Sequence, residues 1–290
     1  MTTRSARHRA LYLAAGSAVA LLALTACSSS DDKSSDAGVP PAASSATGTP
    51  TASATDSPTA TASAKVSGTV TVFAAASLKE TFTALGKQFE STYPGTKVVF
   101  NFGGSDTLAA GITGGAPADV FAAASPKTMK TVTDAGDGSG TPVTFARNQL
   151  EIATVPGNPD RIASLKDLTK SGLKVALCAR TVPCGSAAQN ALTAAGIKLT
   201  PVSYEQDVKS ALTKVELKEV DASVVYRTDV NAAGGKVDGV DFPESAKAIN
   251  AYPIEALKGA PNPAGAQAFI ALVTSAAGEK VLTEAGFLNP

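Results

Sequence analysis

From Val66 onward the chain alternates short apolar runs with amphipathic stretches. Val70-Thr71-Val72-Phe73-Ala74 reads as a buried strand. Leu78, Phe82, Leu85 and Phe89 then recur at spacings of four, three and four, which predicts an amphipathic helix. Lys97 to Phe102 reads as a second strand, 106–113 as a short helix, Ala118 to Ala123 as a strand and 126–135 as a helix. This β-α-β-α-β-α order implies a parallel sheet with helices on its faces. The alternation continues with a strand from Gln149 to Val155, stopped by Pro156-Gly157, and a short helix at Leu165 to Leu168. A strand from Leu173 to Leu177, an Ala-rich helix over 186–195 and a helix over 207–215 follow. Ala222 to Val225 and Ala251 to Leu257 read as strands, and 263–284 carries the terminal helices. Two α/β lobes with a cleft between them fit this count and length.

Upstream the texture is different. Arg4, Arg7 and Arg9 form a basic start, and Ala10 to Leu24 is an apolar run too short to span a bilayer comfortably. Leu24-Thr25-Ala26-Cys27 follows and resembles a bacterial lipobox, in which cleavage occurs just before a lipid-bearing Cys27. An ordinary secretory signal or an uncleaved anchor helix are the plainer alternatives. Residues 28–65 are almost entirely Ser, Ala, Thr, Pro, Gly and Asp, with Val39 as the one aliphatic residue larger than Ala. Such a segment buries too little apolar surface to offset its ordering entropy and reads as a flexible tether. The expected organisation is a signal peptide at 1–26, a lipid-anchored linker at 27–65, one lobe from 66–147 and 253–290, and a second from 148–252.

Charge and composition narrow the function. The 290 residues carry 25 basic and 25 acidic side chains, which argues against nucleic-acid binding through a basic face. Removing residues 1–26 takes three Arg and no acid, and leaves a net charge of −3. A binder of small anions then relies on local geometry rather than global steering. The single histidine is His8, inside the expected signal peptide. The mature chain therefore lacks His-based acid–base chemistry, Ser-His and Cys-His nucleophile pairs and His-ligated metals. Glu80 and Asp119 are the acids nearest the motifs, and capping or turn roles explain both, so an enzyme is not expected. Cys178 and Cys184 remain, in Cys-Ala-Arg-Thr-Val-Pro-Cys. In an exported chain they can form a disulfide across the loop. Two buried thiols or a two-ligand metal site are the alternatives, and the latter lacks further ligands.

Four places share one local form, a strand that ends in small or polar residues and runs straight into a helix. They centre on Ser77, on Ser105 after Gly103-Gly104, on Cys184-Gly185-Ser186, and on Asp207-Val208. Helix N-termini present unpaired N–H groups and a partial positive charge, so they are ready anion sites. Each has a plainer reading. Ser77-Leu78-Lys79-Glu80 is a capping box by pattern, Ser105 is a cap, Cys184 is half of a disulfide, and Tyr226 is a core aromatic.

Taken together, these segments resemble the substrate-binding proteins of bacterial molybdate ABC transporters. The resemblance runs through Val70 to Leu78, Phe102 to Leu108, Gly115-Ala-Pro-Ala-Asp-Val-Phe121, Val182-Pro-Cys-Gly185, Glu205-Gln-Asp-Val208 and Val224-Val-Tyr226. It implies a two-lobed type II periplasmic-binding-protein fold of the α/β class that closes on an oxyanion. It implies ligand contacts at Ser77, Ser105, the Cys184 and Val208 amides, and the Tyr226 hydroxyl. It implies molybdate or tungstate as ligand, no cofactor, no metal beyond the oxyanion's own molybdenum, and delivery to an ABC permease with a separate ATPase subunit. It further suggests a monomer held to the outer face of the cell membrane by the Cys27 lipid. The chain itself carries no phosphate-binding G-x-x-x-x-G-K-[ST] loop.

Three positions depart from the family pattern. Gly103-Gly104 stands where Ser or Ala is frequent, Asp106 where a small neutral residue is frequent, and Cys184 where Ala occurs. Asp106 is expected to face solvent and favour its helix N-terminus. Two other functions stay open: a binder of another tetrahedral oxyanion such as sulfate on the same scaffold, or a lipoprotein that senses its ligand and signals.

Overall fold

The computed structural model describes residues 66–290. The signal peptide, the Cys27 lipid site, the linker and His8 lie outside the described residues. Two five-stranded sheets organise the rest.

The first sheet begins as the pattern predicts. β1 (Gly68–Ala75) leads through a 3-10 turn at Ala76–Leu78 into α1 (Lys79–Thr92). β2 (Thr96–Gly103), α2 (Ser105–Thr113), β3 (Val120–Ala122) and α3 (Pro126–Asp134) follow. β1 pairs in parallel with both β2 and β3. The sheet as a whole is mixed rather than parallel. β4 (Val143–Asn148), which sequence reasoning left unassigned, and β10 (Asn250–Ala256) complete it, with β10 antiparallel to both β3 and β4. The chain leaves the sheet through β4, which runs with the β-α-β units, and returns through β10, which runs against them. β10 starts at Asn250, three residues before the return expected at 253.

Only Gln149 separates β4 from β5 (Leu150–Thr154), the first strand of the second sheet. A 3-10 turn at Leu165–Thr169 precedes β6 (Val175–Cys178), α4 (Pro183–Ala194), β7 (Ser203–Glu205) and α5 (Val208–Glu216). Then come β8 (Ala222–Tyr226), α6 (Arg227–Ala233) and β9 (Asp238–Val240). The order is β7-β6-β8-β5-β9, with β6 parallel to β7 and β8, and β5 antiparallel to β8 and β9. β7, α6 and β9 were missed because each is short. α6 also starts immediately after β8, and its visible mark is the stop: Gly234 at φ 60° accepts the left-handed conformation that ends a helix. α7 (Pro263–Val273) and α8 (Ala276–Glu284) return to the first lobe and pack on α1.

Each sheet has its own core. In the first lobe Phe82, Leu85 and Phe89 of α1 are fully buried, as the spacing predicts. Phe82 sits among Phe100, Phe145 and Phe269 with ring centroids 5.7–6.3 Å apart. Burying each such side chain contributes about 1.5–3 kcal/mol. In the second lobe, β5, β6 and β8 pack against α4 and α5 through Ile152, Leu177, Val224, Ala188, Leu192 and Leu212. Ala76, at the end of β1, joins that second cluster. The lobes are therefore in contact at the strand-to-helix turn that carries Ser77.

Candidate functional site

A cleft lies between the lobes, with about 220 Å³ of space outside atoms, part of it open solvent. Ser77, Ser105, Cys184, Val208 and Tyr226 all line it, with Gly103, Gly104, Ala124 and Asp207. The five residues singled out from sequence come together in one place, from both lobes and from positions up to 149 residues apart. No lysine, arginine or histidine lines the cavity.

The backbone donors come from helix starts, whose first-turn N–H groups have no intrahelical acceptor. Ser105 is the first residue of α2, with Gly104 as its N-cap. Val208 is the first residue of α5, and its cap is set by Asp207, which accepts from the Ser210 N–H at 2.8 Å. Asp207 borders the cavity as a carboxylate, but its oxygens are engaged by Ser210 through both the amide and the hydroxyl. α4 begins at Pro183, three residues before the predicted start at 186. Proline suits the first helical position because its missing N–H has no partner to lose. This earlier start places the Cys184 amide in the first turn. Gly185 is required there, since a Cβ would stand 1.9 Å from the Ala179 carbonyl oxygen. Cys178 and Cys184 are joined in a disulfide with Cα atoms 5.8 Å apart, which ties the end of β6 to the first turn of α4.

The hydroxyl donors are set by a second layer of side chains that sequence reasoning missed. The Ser105 hydroxyl oxygen accepts from the Ala124 N–H at 3.0 Å. The Tyr226 hydroxyl accepts from the Asn250 amide nitrogen at 2.7 Å. Asn250 also donates to the Pro183 carbonyl at 3.4 Å, an acceptor-only group that fixes which way its amide faces. The Ser77 hydroxyl bonds the Tyr252 hydroxyl at 2.9 Å. Asn148 donates to Tyr252 at 3.4 Å and to Thr228 at 2.8 Å, and its own oxygen is held by the Gln149 N–H at 2.9 Å. With Asn148 donating to Tyr252, the Tyr252 hydroxyl is free to donate in turn to Ser77. Each of the three cavity hydroxyls can then accept from behind and keep its own hydrogen for whatever occupies the cavity. Burial raises the pKa of both Tyr226 and Tyr252 well above the ordinary tyrosine value, and the two phenols reinforce this for Tyr226. Both stay protonated donors at any physiological pH.

Three sequence readings need correction. Ser77 is not an N-cap: the N-cap of α1 is Leu78 and makes no side-chain cap bond, while the Ser77 hydroxyl turns to Tyr252. Glu80 consequently caps nothing, and its carboxylate meets Lys209 of the second lobe at 2.9 Å. Asp106 does not simply face solvent. It is half-buried, and its Oδ1 is buried without a hydrogen-bond partner. It does not line the cavity, so the expected repulsion of an anion is avoided by position. Asp119 has the structural role expected of it, accepting from the Thr71 and Asn262 N–H groups at 2.6 Å each.

Gly104 faces the other lobe. A Cβ there would stand 2.5 Å from the Gln206 carbonyl oxygen and 3.1 Å from Val182. The missing side chain is what lets the two lobes approach at this point. Among the described residues no group of three or more His, Cys, Asp or Glu side chains could hold a metal ion, and no helix is long and apolar enough to cross a membrane.

Residues 70–288 match the family of bacterial extracellular solute-binding proteins. The chain is 46% identical over 218 residues to the molybdate-binding protein ModA of Mycobacterium tuberculosis, covering 75% of this chain and 84% of that protein. It is 33% identical over 232 residues to ModA of Haemophilus influenzae, covering 74% and 88%. Among solved structures it is similar to the periplasmic molybdate-binding protein of Azotobacter vinelandii, with a TM-score of 0.69, 24% identity and coverage of 76% and 99%. It is also similar to the sulfate-binding protein SubI of M. tuberculosis, with a TM-score of 0.63, 20% identity and coverage of 76% and 86%. The two structural likenesses speak to the two-lobed fold alone.

Proposed function

The chain belongs to the bacterial extracellular solute-binding proteins, and from that premise we propose that it captures molybdate, and also tungstate, between its lobes and delivers it to an ABC permease. The observation that carries this reading is the donor set. The Ser105 and Tyr226 hydroxyls accept from behind and can donate forward, the Ser77 hydroxyl is paired with Tyr252 in a bond that lets it do the same, first-turn amides of α2, α4 and α5 open on the same cavity, and no cation lines it.

A buried tetrahedral dianion needs most of its lone pairs satisfied, or desolvation dominates. Charge-assisted hydrogen bonds from neutral donors contribute roughly 1.5–3 kcal/mol each. A cavity with donors and few free acceptors also selects protonation state. Hydrogen phosphate and hydrogen arsenate would set a proton against a donor, whereas molybdate, tungstate and sulfate carry none at neutral pH. Molybdate and tungstate exceed sulfate in metal–oxygen bond length, so the degree of lobe closure sets the discrimination. Ser77 and Ser105 act from the first lobe, and Cys184, Val208 and Tyr226 from the second. The reading asks for no resident cofactor and no catalytic residue. Cys27 as lipid anchor, residues 27–65 as tether and a separate ATPase subunit complete it.

The test is thermal unfolding of the purified protein with molybdate, tungstate, sulfate and phosphate in parallel, since a ligand that binds only the folded form raises the midpoint by mass action. Molybdate and tungstate are expected to raise it and the other two to leave it unchanged. A rise with sulfate of equal size overturns the closure argument, and a rise with sulfate or phosphate alone overturns the ligand.

A further inference from the structure

Three charged side chains form a chain across the lobe interface beside the cavity. Glu80 lies in the first turn of α1, in the first lobe. The Lys209 ammonium, on α5 of the second lobe, is 2.9 Å from Glu80 Oε2 and 3.1 Å from Asp229 Oδ1 on α6. Glu80 is 49% exposed, Lys209 21% and Asp229 not at all. Asp229 also accepts from the Tyr226 N–H at 3.2 Å through its other oxygen. Its Oδ1 has no aligned hydrogen bond, so the Lys209 charge is what compensates it.

We infer that Glu80, Lys209 and Asp229 are positioning residues that hold the lobes closed over the oxyanion, with Lys209 as the tie between them. The inference rests on the oxyanion reading above. Each member sits within three residues of a cavity donor: Glu80 after Ser77, Lys209 beside Val208, and Asp229 after Tyr226. Closure therefore brings the ion contacts and the ligand contacts into register together. The Lys209–Asp229 pair lies within one lobe and survives opening. The Lys209–Glu80 contact joins the lobes and is lost when they part. Burial opposes the charge on Lys209, and the Asp229 and Glu80 carboxylates outweigh it and hold its pKa above the ordinary lysine value. A cation placed here contributes to closure without entering the cavity, where it would admit any anion.

The test reads release kinetics. Glu80→Gln keeps the shape and leaves Lys209 with Asp229, so the ligand-free melting midpoint is expected to stay at the wild-type value. Molybdate release, followed by stopped flow, is expected to be about two- to five-fold faster, the size of a partly exposed ion pair, with association unchanged. Lys209→Gln is expected to accelerate release at least as much, and adding Glu80→Gln to it to change nothing further. Should Lys209→Gln unfold the second lobe by stranding Asp229, Lys209→Gln with Asp229→Asn keeps an acceptor for the Tyr226 N–H without the buried charge, and the same cycle is read on that background. Wild-type release from Glu80→Gln, or effects that simply multiply in the double variant, overturns the tie and leaves the molybdate reading standing. A wild-type protein that binds no molybdate overturns both.

Discussion

Two regions join the lobes, and they use opposite chemistry. The cavity presents neutral donors only, with hydroxyls at Ser77, Ser105 and Tyr226 and amides at helix starts. A few residues away, Glu80, Lys209 and Asp229 make the same crossing with full charges. The contrast separates two tasks. Selectivity for an unprotonated dianion asks for oriented dipoles, since a mobile lysine charge would attract phosphate and chloride as well. Closure asks only for strength and reach, which an ion contact at the rim supplies. The cost of neutrality is precision, because each hydroxyl must be oriented by something behind it. That is why Asn148, Asn250, Tyr252 and the Ala124 N–H stand where they do.

Breaking the neutral side has the largest expected effect. Ser105→Ala removes a hydroxyl donor from the cavity and also leaves the Ala124 N–H without its acceptor. The loss of a hydrogen bond to a charged ligand is about 1.5–3 kcal/mol, so molybdate affinity by calorimetry is expected to fall roughly 10- to 100-fold. The ligand-free protein should also melt lower, since a buried donor is left unpaired. An unchanged affinity would mean that Ser105 contributes only its backbone.

Gly104 sharpens the comparison because it touches closure without touching any donor. Its φ of −61° suits any residue, so Gly104→Ala carries no backbone strain. The added Cβ meets the Gln206 carbonyl of the other lobe at 2.5 Å. Overpacking of this kind costs about 1–3 kcal/mol. Within its own lobe the Cβ meets only the end of the Asp106 side chain, Oδ1 at 2.8 Å, which can turn aside, whereas the Gln206 carbonyl is backbone, so affinity should fall roughly ten-fold while the ligand-free melting midpoint falls little. A fall in the midpoint instead would place the conflict inside one lobe.

Much of this was legible in the chain and part was not, for physical reasons. The period of Leu78, Phe82, Leu85 and Phe89 reports a buried helix face directly, because core burial fixes it. The starts of α1 and α2 are legible because small residues or glycine precede them, and that of α5 because Asp207 is a good cap. The pattern places the start of α4 too late because Pro183 looks like loop, although proline fits a first helical turn. Ser77-Leu78-Lys79-Glu80 has the form of a capping box, but both polar side chains have distant partners, Tyr252 and Lys209, that no local pattern displays. The proton-orienting layer was invisible for the same reason. Ser77 and Tyr252 are 175 residues apart, and Asn250 looks like any strand-edge asparagine until Tyr226 is placed beside it.

Asp229 gives the smallest expected effect and separates the two regions by pH. Burial raises its pKa from 3.8 to about 6, against the opposing pull of Lys209 and the Tyr226 N–H, with Glu80 adding to the rise. The folded protein therefore holds this proton over a range in which the unfolded chain has released it. Stability from this group is fully present below about pH 3.8 and is lost as pH rises through about 6. Glu151 and Glu255 are also pushed up by burial and slope the same way, so the informative quantity is the difference between wild type and Asp229→Asn. Asparagine keeps an acceptor for the Tyr226 N–H and has no proton to lose. Between pH 5 and 7.5 the wild type is expected to lose about 1 kcal/mol relative to the variant, a few degrees in melting midpoint. The Lys209–Asp229 pair lies within one lobe in open and closed forms alike, so molybdate release is expected to change little over the same range. A variant whose stability runs parallel to wild type across that range would mean that Asp229 is already ionised at pH 5, with Lys209 compensating it in full.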